Sequence, residues 1–295
     1  MSKAKKPTRR TRPGKRPRKP RAGRPRKVFA DAMTSAEMAD HRRRNGIVLL
    51  PIGCFEMHGM QCNMSCDSFI AEATCRILAD EWDAVIMPTI HYTDPGATAP
   101  WPGSVGVLPL EGLHYVTAVV RAILANGFRR VVIVSLHGPN AGMISMAIQT
   151  IFRATGELPI LYQEKYAEFC RRVEEEFGRP HGEAACLLAS MYICGRHGEF
   201  DPSATEDETL EGPKYPFRSR SAWNLRTHGT TFPYHFVEPN NHVGRYPGMT
   251  LDDAPRMAEI WREVVLQTAR GLPEDYAKFQ KDMWQAMRDK PWADL

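Results

Sequence analysis

No stretch of this chain is long and apolar enough to cross a bilayer, which takes about 18 or more apolar residues, so a soluble body is expected. Among its seven cysteines, Cys54, Cys62, Cys66, Cys75, Cys170, Cys186 and Cys194, there is no C-x-x-C pair. Cys62-x-x-x-Cys66 is the nearest thing to a metal or redox spacing. No apolar signal segment opens the chain, so a reducing cytoplasm is the simplest expected setting. The nucleotide-binding and esterase loops are missing too: no P-loop, no G-x-G-x-x-G after a strand, no G-x-S-x-G elbow. The first 27 residues hold no acidic side chain at all.

What those 27 residues do hold is 14 Lys or Arg and five prolines. A segment of that composition cannot bury apolar surface and is predicted to be a disordered arm. Removing it leaves 25 basic against 34 acidic side chains, so the formal charge of +5 divides into a basic arm and a body of −9. The arm offers phosphate-directed charge to nucleic acid or another polyanion, or serves only as a solvated extension. With 43% hydrophobic residues over 295 positions, the remainder, 28–295, is large enough for one domain with a substantial core.

Periodicity then orders the body. Residues 46–52 are a continuous apolar run of strand length, the pattern of a strand covered on both faces, and Arg130-Val-Val-Ile-Val134 is the clearest buried strand. Shorter strands are expected at 84–87 and 158–161. Helical spacing marks 33–45, 67–81, 111–126, 141–154, 165–177 and 183–194, with a final amphipathic helix at 252–270. Alternating strands and helices predict a three-layer α/β/α fold with a mostly parallel sheet. Residues 95–109 read as a Gly- and Pro-rich loop. Residues 196–250 break the rhythm with Pro, Gly, His and aromatics, including Trp223, and a long irregular stretch of that kind is commonly functional.

The chemistry-bearing residues sit at the ends of these elements. Glu56 and His58 follow the first buried strand two apart, so in extended chain they face one side. Asp67 opens a helix eleven residues after Glu56, close enough for the loop to fold it back beside the pair. Ser135-Leu-His137-Gly-Pro-Asn140 lies between the best strand and a helix, at the carboxyl edge where open α/β sheets bind ligands. His181 and Glu183 stand just before another helix. Taken together, Glu56, His58, Asp67, His137 and Glu183 form a carboxylate–imidazole set suited to Zn, Mn or Fe(II). Two such ions sharing a carboxylate would generate a bridging hydroxide at neutral pH. Cys54 follows a buried strand and reads as a packed thiol rather than a nucleophile.

The run Leu50-Pro-Ile-Gly-Cys-Phe-Glu-Met-His-Gly59 with Cys66-Asp67-Ser68 resembles the opening motif of the creatininase (creatinine amidohydrolase) family. His137-Gly-Pro-Asn140 is similar to that family's His-Gly-Gly-Asn motif, and Gly182-Glu183 to its third motif. Pro102-Gly-Ser104 and Gly244-Arg-Tyr-Pro247 resemble its Pro-Gly-Thr and late Gly-Asp-Pro turns. The resemblance spans about residues 40–270. It implies a two-metal site with Glu56, His58, Asp67, His137 and Glu183 as ligands and Asp67 bridging, and a homo-oligomer, commonly a hexamer.

By the same resemblance, a metal-bridging hydroxide attacks the carbonyl of a small-molecule amide or cyclic amide, with Glu183 or His181 serving the leaving nitrogen. His91, Tyr92, Asn140 and Trp223 fall where a substrate would bind. Pro139 occupies the place of a carboxylate in creatininase itself, which argues against creatinine as the substrate. The alternatives left open are a related metal hydrolase of a peptide or cyclic ketone-type substrate, and a catalytically retired polyanion-binding protein.

Overall fold

The structure, a computed structural model, describes residues 26–163, 165–178, 182–204, 228, 235 and 248–289. Four parallel strands form its sheet: β1 (Ile47–Pro51), β2 (Val85–Ile86), β3 (Arg130–Val134) and β4 (Ile160–Tyr162). Their spatial order is β2-β1-β3-β4, with Val48 opposite Val131 and Leu50 opposite Ile133. Successive strand residues face opposite layers. Ile47, Leu49, Val132 and Val134 join one core. It is covered by α2 (Cys66–Trp82), α5 (Tyr166–Phe177), α6 (Gly182–Ile193) and a helix at Ala254–Ala269, α7 below. Val48, Leu50, Val131 and Ile133 join the other, covered by α3 (Pro109–Ala125) and α4 (Gly138–Thr155). Burial on both faces is why β1 and, beyond Arg130, β3 are apolar instead of alternating. The result is a three-layer α/β/α fold.

α6 is packed between α2 and α7, and every residue from Ala184 to Met191 is buried. Trp261 on α7 is fully buried and meets Phe169 of α5 edge-on, ring centroids 4.9 Å apart. At the other end of the chain, α1 (Ser35–Arg44) starts on a reciprocal cap: the Glu37 amide donates to Thr34 Oγ1 (3.3 Å) and the Thr34 amide to Glu37 Oε2 (2.7 Å). Among the described residues no helix is long and apolar enough to cross a membrane.

Two expectations need correction. The helix read as the last is followed by another, α8 (Leu272–Asp289). Gly271 and Pro273 look like a stop, yet the break lies only at Gly271 (φ +75°), and proline is tolerated in a first helical turn. Arg26 and Lys27, grouped with the basic arm by charge, belong to the body. The Arg26 guanidinium donates to the carbonyls of Ala79 (3.0 Å) and Ala84 (2.6 Å) at the end of α2 and pairs with Asp83 (2.8 Å). Residues 1–25 lie outside the described residues.

Candidate metal centre

All four strands point their carboxyl ends the same way, and the loops leaving β1, β2 and β3 meet there. The chain after β1 stays extended long enough for Ile52 to donate to Val134 O (2.9 Å) and Gly53 to Ile90 O (2.9 Å). It then folds back under restraint from three contacts. The Glu56 amide donates to Met64 O (2.9 Å), the Met57 amide to Ser104 Oγ (3.0 Å), and the Val105 amide to Phe55 O (2.9 Å). Gly53 is required for this path, since a Cβ there would stand 2.3–2.5 Å from Ser68 Oγ, N and Cα. That close approach seats the start of α2, and so Asp67, against the loop.

Glu56, His58, Asp67 and His137 converge as the sequence predicts, each at most 5% exposed. His58 Nε2 lies 3.4 Å from Asp67 Oδ1 and 3.8 Å from Glu56 Oε1. His137 Nδ1 lies 3.0 Å from Asp67 Oδ2 and 3.2 Å from Glu56 Oε1. The opposite nitrogen of each ring faces a carbonyl: His58 Nδ1 is 3.2 Å from Glu56 O, and His137 Nε2 is 2.7 Å from Asp94 O. A carbonyl only accepts, so these contacts place the N–H on that side of each neutral ring. The remaining nitrogen lone pairs then point at carboxylate oxygens, an arrangement that needs a cation between them. Asp67 Oδ2, buried, accepts no hydrogen bond. These features fit a divalent cation, and Asp67 presents one oxygen to each imidazole.

In the bare protein, protons are drawn into that role. Burial alone would lower the pKa of His58, but Asp67, Glu56 and Glu183 raise it to about 10. His137 is driven above its ordinary value by Asp67 and Glu56 against the same opposition. Burial pushes the Asp67 carboxyl up, and the two imidazoles overcome it to hold the group well below the usual carboxylate range.

Glu183, half-buried in the first turn of α6, belongs to the same neighbourhood. Its charge acts on His58, adds to burial in raising the Cys66 thiol, and adds to burial in raising the Tyr166 phenol. Asn140 is fully buried; its amide donates to Gly53 O and Ser135 Oγ (both 3.1 Å), tying the β1 loop to β3. His91 is exposed, with Nδ1 3.0 Å from Ser68 Oγ, and Tyr92 is 54% exposed with its ring 6.3 Å from that of Phe55. His181, Trp223 and the 244–247 turn lie outside the described residues.

Sequence reasoning missed three contributors. Thr98, in the short turn Gly96–Thr98, donates its hydroxyl to Glu56 Oε2. Asp94 supplies the carbonyl that fixes the His137 ring. Cys54, two residues before Glu56, has its sulfur grouped with ligand atoms of Asp67 and His137, all within 4.8 Å of one another. A second group with the same limit is Glu56, His58 and Asp67. Cys54 shares the parity of Glu56 and His58, a signal that the sequence contained.

The geometry thus defines a class: a three-layer α/β/α protein with a buried carboxylate–imidazole centre at the carboxyl edge of its sheet. Comparison with known proteins makes the class specific. The creatininase family, described as creatinine amidohydrolase, matches residues 31–209, and the chain belongs to that family. A creatinine amidohydrolase from Pseudomonas putida is 26% identical over 112 residues, which cover 36% of this chain and 43% of the relative. The chain is therefore matched to less than half of that relative's length. A crystal structure of creatinine amidohydrolase (creatininase) superposes with a TM-score of 0.62 at 17% identity, covering 84% of this chain and 98% of the other. A manganese form of creatininase gives 0.56 at 18% identity, covering 86% and 98%. A Zn–Zn form of a creatininase variant gives 0.58 at 17%, covering 83% and 98%. At these identities the structural likeness establishes the fold.

Proposed function

We propose that this chain is a divalent-metal-dependent amidohydrolase that cleaves a C–N bond in a small amide or cyclic amide. The observation that carries the reading is the pair of imidazole lone pairs, each set by a carbonyl behind its ring, converging on the two oxygens of Asp67. A proton or a metal is needed to join them, and the donor set of two imidazoles with carboxylates suits zinc or manganese. Manganese and zinc forms among the creatininase structures support that choice. In this reading Glu56, His58, His137 and Glu183 would hold the ions, and Asp67 would serve both of them. Bound there, such ions would supply Lewis acidity and a water nucleophile at neutral pH.

The chain's own residues do the rest. Thr98 keeps one oxygen of Glu56 turned away from the centre, so the other faces His137. Asn140 holds the β1 loop at its working distance from β3. Glu183, in the first turn of α6, would use its second carboxylate oxygen to relay the water's proton to the leaving nitrogen. His91 and Tyr92 form an exposed rim on the loop after β2.

The test is elemental mass spectrometry of protein purified without added metal, with Asp67→Ala beside it, followed by a screen of small linear and cyclic amides. About two divalent ions per chain in the wild type, lost in the variant, together with chelator-sensitive hydrolysis, is the expected result. A wild-type protein that takes up no metal even after loading overturns the proposal.

A further inference from the structure

Five of the seven cysteines are buried, and four of them, Cys62, Cys66, Cys75 and Cys186, sit in the hydrophobic core around α2 and α6. Cys54 is the exception. It is fully buried, yet belongs to neither hydrophobic core. Its sulfur makes one long contact to Thr93 O (3.9 Å) and lies within hydrogen-bonding reach of His137. A thiol buried only as a small hydrophobe needs no polar company; Cys54 has an imidazole and a carboxylate beside its sulfur.

We propose that Cys54 Sγ is a further ligand of the ion held by Asp67 and His137, giving that subsite sulfur, nitrogen and oxygen donors and a preference for zinc over manganese. The inference rests on the metal-site reading above and deepens it. Two observations support it. The sulfur, the Asp67 carboxylate and the His137 ring offer ligand atoms that all lie within 4.8 Å of one another. Two donors on one tetrahedral ion, at bond lengths of roughly 2.0–2.3 Å, stand ~3.5 Å apart, so closing onto a cation takes movements of about an ångström. Asp67 Oδ2, in a residue only 3% exposed, accepts no hydrogen bond and lies 3.0 Å from His137 Nδ1.

The two candidate groups share Asp67. Cys54 and His137 fall in one and Glu56 and His58 in the other, and Glu56 Oε1 also lies 3.2 Å from His137 Nδ1. On ligation the S–H bond breaks, a metal–sulfur bond forms and the proton leaves to solvent. A soft thiolate favours zinc over manganese, which prefers oxygen donors.

The test uses the full chain, stripped with chelator and reloaded with Co²⁺. About two Co²⁺ per chain should bind, with a near-ultraviolet thiolate-to-cobalt charge-transfer band that Cys54→Ser abolishes. In competition between zinc and manganese, Cys54→Ser and Cys54→Ala should each lose at least about tenfold of the zinc preference, since removing even an outer partner of a ligand costs that much. The wild-type spectrum needs no variant to fold. Cobalt bound at full occupancy without the band overturns this inference while leaving the metal centre standing. A band that persists in Cys54→Ser belongs to Cys62 or Cys66 and overturns it equally. No cobalt bound at all overturns both readings.

Discussion

Thr98→Val is the sharpest test of how the centre is held. Thr98 is 1% exposed, and its Oγ1 contacts both Glu56 Oε2 and Pro95 O, the latter at 2.8 Å. A hydroxyl has one proton to give, and the carboxylate is the stronger acceptor. Valine keeps the shape and removes the donor, leaving a buried carboxylate oxygen short of one partner at a cost of about 2 kcal/mol. For a domain of this size that lowers the metal-free Tm by ~4–8 °C. It also frees Glu56 to rotate its second oxygen away from His137.

Losing such a supporting partner typically weakens metal binding about 10–100-fold, or ~1.4–2.7 kcal/mol. Competition against a chromophoric zinc chelator reads the affinity directly, and thermal unfolding of stripped and loaded protein reads the stability. Thr98→Ser, which restores the hydroxyl, should recover most of both. If Thr98→Val binds zinc as tightly as the wild type, the hydroxyl does not orient Glu56 and the reasoning fails.

Other consequences can be checked alongside. Gly53→Ala drives a methyl into the Ser68 backbone, so the start of α2 must shift; metal content should fall while circular dichroism still shows a folded α/β protein, and an unchanged metal content would refute the tight-approach argument. Tyr276→Phe removes the hydroxyl shared by Leu158 O and Val131 O and should cost about 1 kcal/mol in chemical denaturation with hydrolysis unaffected. The His58 pKa rises from 6.5 to about 10 on folding, so its contribution is fully present below pH 6.5 and is lost as pH climbs towards about 10. Metal-free protein should therefore melt progressively lower across that window, and metal-loaded protein should hold level because the ion replaces the proton. A flat profile for the stripped protein would show that no such proton is bound.

Much of this was legible in the chain before any coordinates. Arg130–Val134 is the strand that the sequence marks, and β1, α2 and α4 fall within a few residues of their expected ends, because doubly covered strands and amphipathic helices write strong patterns. The convergence of Glu56, His58, Asp67 and His137 was legible because each stands at a junction between elements. Thr98 was not, since a threonine in a Gly- and Pro-rich loop carries no mark of the carboxylate 42 residues earlier that it meets. Cys54 was read by its neighbours in sequence, which are apolar, and not by those in space. α8 was hidden by Gly271 and Pro273, whose stop signal is real for the helix before them and permissive for the one after.

The placement of α8 has a consequence for how this protein can change. Gln280 donates to Arg129 O (2.6 Å), Trp284 to Gly156 O (3.1 Å) and Tyr276 to Leu158 O, all on the edge where β3 and β4 begin. The proposed metal-binding residues lie at the other edge, a strand's length away. Substitutions at such separated, unshared contacts add nearly independently. A library that diversifies the loops after β1 and β2 for new substrates can therefore be balanced by strengthening the seam under α8, stability and specificity being drawn from opposite rims of one sheet.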